Sequence, residues 1–555
     1  MQETGRLFDW YEADLPSAER KRRGHFSTPP ALVSQILDAC GYVSDANLSR
    51  IRVLDPACGS GNFLMEAAQR LATSLASDST LSSRKRASLF QHNLWGFDPD
   101  PVACFLAEMR LRTSFEAQVK QDLAASFPLH IHQADSLSLH WEPCVDLFLA
   151  NPPYLAAKNS DLSGYRSAQQ RGQTDSYLLF LDLAFQALRP RGWLGLVLPD
   201  PLLARANAAP ERLRLLNEST IHHLWHFSGL FAAHVGAVVI IAQKRPPRSI
   251  HKISWRREGW PNQLKRSQLP QDLESSHQVP QRLLARQPGA EFRYLLNSES
   301  GSVTERFRKQ LEHPGKGKNY LLPLSDFFQV RRGEELGRES PLLVELERDC
   351  ETHYRVLRGG IDIQPYATPS GRWGISRSEI AKPLLRYHAP KLLVVKSTGN
   401  LRATVDLQDH IALQTLYLLL PCRPDLDIDD LYFFMALLNS RLLRTYIYLQ
   451  HTAYKLVQPQ IEQHVLARLP VPAVIRRRDV KRISELAQEL RSACDARGSV
   501  VEWQVESHHL FEKLEGAISV LYRTLLPEIT TDKGVFDNGY YSNSPNSRIG
   551  REAGT

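Results

Sequence analysis

Residues 145 to 154 read Val145-Asp146-Leu147-Phe148-Leu149-Ala150-Asn151-Pro152-Pro153-Tyr154. A short run with a single charge, leading straight into two prolines, predicts a buried strand over 145–150 followed by a stiff loop, because proline cannot continue a strand ladder. In open α/β sheets the carboxyl edge of the strands is where ligands bind, so the loop stands where chemistry is usually done. The Asn151 side-chain carbonyl and the Pro152 carbonyl can both accept from one exocyclic amino group. Such an amine is a poor nucleophile while its lone pair is delocalised into a ring or carbonyl. Two acceptors on its protons favour a tetrahedral nitrogen, which stabilises a transition state more than a ground state. Tyr154 adds a flat face for stacking a planar group. The plainer alternative is an ordinary Asn-Pro turn after a strand.

Upstream, a β-branched strand at 51–54 ends in Asp55-Pro56-Ala57-Cys58-Gly59-Ser60-Gly61-Asn62-Phe63-Leu64, and a helix is predicted over 65–76. Strand, glycine turn and helix together make a cofactor cradle. No Gly-Lys-Ser/Thr follows, so it is not a phosphate loop, and it lacks the full dinucleotide fingerprint. A second strand at 94–97 ends in Asp98, placed to bind ribose hydroxyls, and precedes a helix over 102–111. A helix N-cap, at Asp98 or Asp100, is the alternative role. A third strand at 130–134 ends at Asp135. Downstream, 176–188 reads as a helix with Tyr177, Phe180, Leu181 and Ala184 inward, closed by Pro190-Arg191-Gly192. Strands follow at 193–198, 221–227 and 235–242. This alternation predicts an α/β fold with a doubly wound parallel sheet.

At the amino end, residues 1–20 are polar and read as an exposed arm. Lys21-Arg22-Arg23 leads into Gly24-His25-Phe26-Ser27-Thr28-Pro29-Pro30 and a helix over 31–40 with Leu32, Val33, Ile36 and Leu37 on one face. The prolines at the first turn mark its start. Beyond Lys244-Arg245-Pro246-Pro247-Arg248 the chain turns polar, basic and proline-broken, so 246–320 is read as a basic linker. Residues 321–529 hold short strand-like pieces (393–396, 411–420), a helix at 431–448 and amphipathic stretches at 480–493 and 500–525. Residues 530–555, rich in Gly, Asn and Ser, read as a disordered tail.

At 555 residues the chain exceeds one ordinary core. With 43% hydrophobic and 23% charged residues its composition is globular. Lys plus Arg at 68 against Asp plus Glu at 60 gives +8, compatible with a polyanionic partner. The seven cysteines are scattered and never spaced as CxxC, which predicts reduced thiols in a cytoplasmic protein and neither a disulfide framework nor a metal site. No apolar run approaches a membrane span, and no membrane partner is expected.

The order of these pieces resembles the gamma class of S-adenosylmethionine-dependent DNA adenine-N6 methyltransferases of type II restriction–modification systems. The likeness lies in Gly24 to Pro30, Asp55 to Leu64, Phe97-Asp98-Pro99, Ala134-Asp135 and Asn151 to Tyr154. Looser likenesses to recognition domains lie at residues 327–337, 359–366 and 437–440. The resemblance implies a doubly wound Rossmann-like methyltransferase sheet at 21–245, then a mixed α+β target recognition domain with C-terminal helices. It implies S-adenosyl-L-methionine as cofactor and a flipped adenine in double-stranded DNA as substrate, since a stacked base cannot present its amine. Carried over, Thr28 and Asp55 contact the methionine part of the cofactor, with Ala57 and Cys58 in the same loop and Gly59 and Gly61 allowing close approach. Asp98 takes the ribose hydroxyls and Asp135 the cofactor's adenine amine. Asn151 and Pro152 hold the target amine, Pro153 completes the loop and Tyr154 stacks on the base. Phe231 is the second aromatic against that base, with Phe227 as its rival. A separately encoded restriction endonuclease is an implied partner. Since the cofactor motif begins at Gly24, the expectation is a chain that methylates without cutting. A protein-glutamine methyltransferase also fits Asn-Pro-Pro-Tyr, and an RNA methyltransferase or a non-enzymatic DNA-recognition subunit remain alternatives. The DNA site and the oligomeric state are not readable from these residues.

Overall fold

The computed structural model describes residues 27–116, 128–155, 162, 164–165, 174–227, 230, 236–258, 276–293, 306–311, 320–348, 350–396, 401–447, 451, 460–473, 476–496 and 508–525. The chain divides into two compact units, 1–259 with 275–294, and 260–274 with 295–555.

Among the described residues of the first unit the strands are β1 (Val53–Asp55), β2 (Leu94–Asp98), β3 (His130–Gln133), β4 (Val145–Ala150), β5 (Leu188–Pro199), β6 (Thr220–Phe227), β7 (Ala237–Gln243), β8 (Lys252–Glu258) and β9 (Ser276–Pro280). They form one sheet in the order β3-β2-β1-β4-β5-β7-β6-β8-β9. The strand over 145–150 falls where its apolar run places it, and Leu147, Phe148, Leu149 and Ala150 are buried, as a central strand covered on both faces requires. β1 through β5 are mutually parallel. From β1 the chain steps outward through β2 to β3, then returns to β4 on the other side of β1. The carboxyl ends of β1 and β4 therefore flank a topological switch point, the position at which such sheets open a crevice.

Helices cover this sheet. α1 (Pro30–Ala39) buries Leu32, Val33, Ile36 and Leu37, the apolar stripe read from the sequence. α2 (Asn62–Ser77), α3 (Ser83–Asn93), α4 (Pro101–Glu116), α5 (Ser176–Ala187), α6 (Ala209–Glu218) and α7 (Gln281–Ala285) follow. α5 is buried nearly all round, consistent with an apolar helix lacking a polar face.

Two expectations about the sheet change. The sheet is mixed, because β7 runs antiparallel to both β5 and β6. Only residues 228–236 separate β6 from β7, fewer than a parallel crossover needs. The sheet also continues into the stretch read as a linker. In β8, Ile253, Trp255 and Arg257 are buried at alternate positions, a period of two that the surrounding basic residues hide.

In the second unit β11 (Phe328–Arg332), β18 (Leu416–Pro421), β15 (Lys391–Val395) and β16 (Ala403–Asp406) make one four-stranded sheet. β12 (Leu343–Glu345), β14 (Trp373–Ser376), β13 (His353–Leu357) and β17 (Ile411–Ala412) make another, and β10 (Leu321–Pro323) pairs with β19 (Pro470–Pro472). The helix expected at 431–448 is two helices, α8 (Ile428–Asn439) and α9 (Arg441–Ile447), with the break at Ser440. The Ser440 hydroxyl donates to the Leu437 carbonyl and accepts from the Leu443 amide, ending one helix and capping the next. α10 (Gln463–Ala467), α11 (Arg477–Asp495) and α12 (His508–Leu525) complete the unit. α11 supplies the apolar stripe read at 480–493 and α12 that read at 500–525 from His508 onward, residues 500–507 lying outside the described residues.

Candidate active site

The carboxyl ends of β1, β2 and β4, with the start of α5, enclose a cavity of about 620 Å³. The loop after β1 turns through Gly59 (φ 53°) and Gly61 (φ 87°), backbone angles that side chains rarely adopt, and delivers the chain into α2. Gly59 lines the cavity. Gly61 does not: a Cβ there would lie 3.0 Å from the Cβ of Ala107, so this glycine serves the turn and the packing of α2 on α4.

The loop is tied to its neighbours by short polar links. The Gly59 amide donates to Asp98 Oδ2 at 3.0 Å, and the Asp100 amide donates to Asp98 Oδ1 at 2.9 Å. The Cys58 amide donates to the Phe97 carbonyl and the Ser136 hydroxyl to the Pro56 carbonyl. Asp98 thus sits at the end of β2 with its carboxylate fixed by two loop amides. The capping role at the start of α4 falls to Asp100, whose carboxylate accepts from the Val102 amide. Asp55 is almost wholly buried and accepts from the Ala57 amide at 3.1 Å. Burial pushes its pKa up to about 8, with the Ala57 hydrogen bond opposing and the Asp98 charge adding to the rise. Cys58 is a buried thiol whose pKa is raised well above the usual range, first by burial and then by Asp55.

Asp135, at the end of β3, accepts from the Leu137 amide at 3.1 Å and from the Tyr165 hydroxyl at 2.7 Å. The Tyr165 phenol is correspondingly raised to about 12, by burial and by Asp135.

The loop after β4 is the most heavily braced part of the site. Asn151 Nδ2 donates to Thr28 Oγ1 at 3.0 Å, which fixes Oδ1 as the other end of that side-chain amide. Asn62 Nδ2 in turn donates to the Thr28 carbonyl and the Ser27 hydroxyl. Behind the loop the Ser176 hydroxyl donates to the Pro153 carbonyl and accepts from the Leu155 amide, while the Ser176 amide donates to the Leu155 carbonyl. A strand end, two prolines and a three-bond clamp leave little backbone freedom.

Of the residues expected in the site, Thr28, Asp55, Ala57, Cys58, Gly59, Asp98, Asp135, Asn151 and Pro153 line the one cavity. Pro152 is buried and is not among the cavity's lining residues. Tyr154 is half-buried against the core of the first unit and its hydroxyl is buried, with its pKa raised well above the ordinary phenol value by burial and by Asp200. Phe231 lies outside the described residues. Phe227 is part of the core, 8% exposed. Sequence reasoning missed Tyr165, Ser176 and Phe180, all of which line the cavity. The available signals were Ser176, a hydroxyl residue at the start of an apolar helix, and Phe180, read there only as an inward-facing residue of that helix. Among the described residues no group of His, Cys, Asp and Glu could hold a metal ion, no helix is long and apolar enough to cross a membrane, and all seven cysteines are unpaired.

A switch-point crevice with a glycine-cornered loop on one strand and Asn-Pro-Pro-Tyr on the next defines a methyltransferase-type α/β domain. Residues 2–259 match the family described as N-6 DNA Methylase, and residues 356–471 match the TaqI-like C-terminal specificity domain. The first of these matches runs across nearly all of residues 1–259 of the first unit, and the second lies within the second unit. The chain is 27% identical over 253 residues to the Type II methyltransferase M.VspI of Vibrio sp. (strain 343), covering 44% of this chain and 54% of the relative. It is 28% identical over 202 residues to the Type II methyltransferase M.PaeR7I of Pseudomonas aeruginosa, covering 34% of each. The chain thus spans about half the length of the first relative and a third of the second. In fold it is similar to the type IIL restriction-modification enzyme MmeI in complex with DNA, with a TM-score of 0.53 and 13% identity over 97% of this chain and 79% of that one.

Proposed function

We propose that this chain is a site-specific DNA methyltransferase that transfers a methyl group from S-adenosyl-L-methionine to the N6 amine of an adenine flipped out of duplex DNA, as the modification enzyme of a restriction–modification system. The observation that carries the reading is the position of Asn151: held by Thr28, it sits on the wall of the same cavity that Asp55, Asp98 and Asp135 line.

The residues fit the cofactor. Acceptors stand at the ends of three adjacent strands, spread along the cavity as a ribose and an adenine amine would require, and the glycine turn lets backbone approach closely. Asp98 would hold the ribose hydroxyls, Asp135 the adenine amine, and Asp55 the cationic methionine end. When bound, the cofactor supplies an electrophilic methyl on a sulfonium, with a neutral thioether as leaving group. The chain's own task is then alignment. Asn151 Oδ1 and the Pro152 carbonyl would accept the two protons of the target amine and turn its lone pair in line, and the extra proton leaves to water after transfer. No strong base is needed, because positioning dominates such a step. Tyr154 would stack on the flipped base once it enters, and Phe231 is the candidate for its other face. The specificity domain would read the duplex, and a separately encoded endonuclease would be the natural partner.

The test is to incubate the full chain with methyl-labelled cofactor and, in parallel, duplex DNA, a glutamine-bearing release-factor protein or ribosomal RNA, then map modified bases by single-molecule sequencing. Label in one adenine of one DNA sequence supports the reading. Label in protein or RNA alone moves the function to those substrates.

A further inference from the structure

A second cavity, of about 750 Å³, lies wholly within the second unit. Its walls come from strand register. In the sheet β11-β18-β15, Arg332 at the end of β11 is paired with Tyr417 on the central strand, and Val395 at the end of β15 is paired with its neighbour Leu416. Lys396, one residue on, donates its amide to the Thr415 carbonyl. Arg332 and Lys396 therefore face one hollow from either side of β18. The far wall is the segment 460–464, pinned across the strands: the Ile461 amide donates to the Lys396 carbonyl, the Tyr417 hydroxyl to the Ile461 carbonyl at 3.0 Å, and Gln463 Nε2 to the Val330 carbonyl at 2.9 Å.

The charge pattern of this hollow is unbalanced. Among the described residues neither Arg332 nor Lys396 forms an ion pair, and the one carboxylate on the wall, Glu462, lies 3.5 Å from His464. Burial and then the Arg332 charge lower the Lys396 pKa, with Glu462 opposing. Arg332 and Lys396 share this hollow with Glu462 as the one carboxylate among its described lining residues, so positive charge is in excess there and a bound anion would offset it. Gln329 lines the same hollow as a neutral hydrogen-bonding group. Charged and amide side chains interrupt its apolar patches, so it lacks the predominantly apolar lining that marks a site for a small organic ligand.

We propose that this groove is a seat for a backbone phosphate of duplex DNA, with Arg332 and Lys396 as its two cationic contacts. The assignment rests on the proposed function and gives the second unit a specific DNA-facing surface. Phosphate contacts fix register and orientation without reading sequence, so these residues would position the duplex for whichever side chains meet the bases.

The test measures binding of the full chain to a duplex of arbitrary sequence by fluorescence anisotropy across a range of potassium chloride concentrations. Wild type is compared with Arg332→Gln and Lys396→Gln, and with Lys481→Gln on the exposed side of α11 as a charge-matched control. Unchanged melting temperature and cofactor affinity would show that the variants fold. Arg332→Gln and Lys396→Gln are expected to weaken binding to every sequence alike and to lower the slope of log affinity against log salt by about one. An unchanged slope in both, or the same loss in Lys481→Gln, overturns the proposal. So does displacement of the duplex by inorganic phosphate beyond what potassium chloride of equal ionic strength produces, which would mark a free-anion site. A wild-type chain that binds no duplex at all overturns the functional reading and this inference with it, whereas intact binding with unchanged variants overturns this inference alone.

Discussion

The crevice of the first unit and the interior of the second both bury ionisable groups, and they do so in opposite ways. In the second unit Lys391 and Asp406, neither exposed, form an ion pair at 2.7 Å, and His410 Nδ1 closes on the other Asp406 oxygen at 2.8 Å. The remaining Lys391 protons go to the Tyr387 and Gln408 carbonyls. Burial alone would raise the Asp406 pKa, but the His410 hydrogen bond and the Lys391 charge hold it below the usual range. In the crevice Asp55 is held by a backbone amide, and burial takes its pKa up to about 8. Charge paired with charge and sealed is structure. A carboxyl buried beside a cavity, held by a backbone amide and strongly raised, is the kind of perturbed group that marks a candidate binding site.

The comparison breaks most visibly through the sealed pair. Asp406→Asn should cost about 3 to 5 kcal/mol of stability, since it leaves Lys391 buried without its counter-charge. Chemical denaturation of the full chain checks this, and a loss under about 1 kcal/mol would show that the pair is no more than a tolerated polar contact. The same variant should leave cofactor affinity alone.

Next in size is Asn151→Ala. Removing one acceptor aligned on the target amine should lower the methylation rate by about 10²–10³-fold, or roughly 2.7 to 4 kcal/mol, with little change in melting temperature. A drop in stability equal to that of Asp406→Asn, with turnover preserved, would place Asn151 among structural groups after all. Asp98→Ala is expected to be milder. Losing hydrogen bonds to a charged acceptor costs about 1.5 to 3 kcal/mol, read by calorimetry as weaker cofactor binding. Since Asp98 also accepts from Gly59 and Asp100, Asp98→Asn should recover part of the loss.

Much of the first unit was legible because its signals are local. The apolar run ending at Ala150 and the glycines at 59 and 61 each specify an element by their own chemistry, and parallel strands order them along one edge. What escaped was chemistry between distant segments. Thr28 meets Asn151 from 123 residues away, and Tyr165 meets Asp135 across 30. Neither contact leaves a trace in spacing. β8 was hidden for another reason: its buried face includes Arg257, so a strand of alternating burial reads as a basic linker. In the second unit the short strands pair in an order that sequence proximity does not suggest, β11 with β18 and β13 with β17, and the register that brings Arg332 to Lys396 follows from that order.

The finest difference between the two regions lies in the sign of their pH dependence. Asp406 has a folded pKa below its unfolded value, so its contribution to stability is present above the unfolded pKa and is lost as pH falls. Asp55 is raised, so the reverse holds: its contribution is fully present below pH ~4, the unfolded value, and is lost as pH rises toward about 8. Over that window the folded state holds a proton the unfolded state has released, and stability should fall with pH by at most about 1.4 kcal/mol per unit from this one group. Asp55→Asn keeps an acceptor for the Ala57 amide but cannot titrate, so its advantage over wild type should grow between about pH 5 and 8. Glu515, raised to about 7 by burial in the second unit, gives the same slope in both proteins and cancels in the difference. Added S-adenosylmethionine sharpens the test. If Asp55 meets the cationic end of the cofactor, binding favours its ionised form, so wild-type affinity should rise with pH toward about 8, and Asp55→Asn should abolish that rise. Parallel melting curves and calorimetric titrations at several pH values measure both, and a pH-independent affinity in wild type would remove Asp55 from the cofactor's contacts.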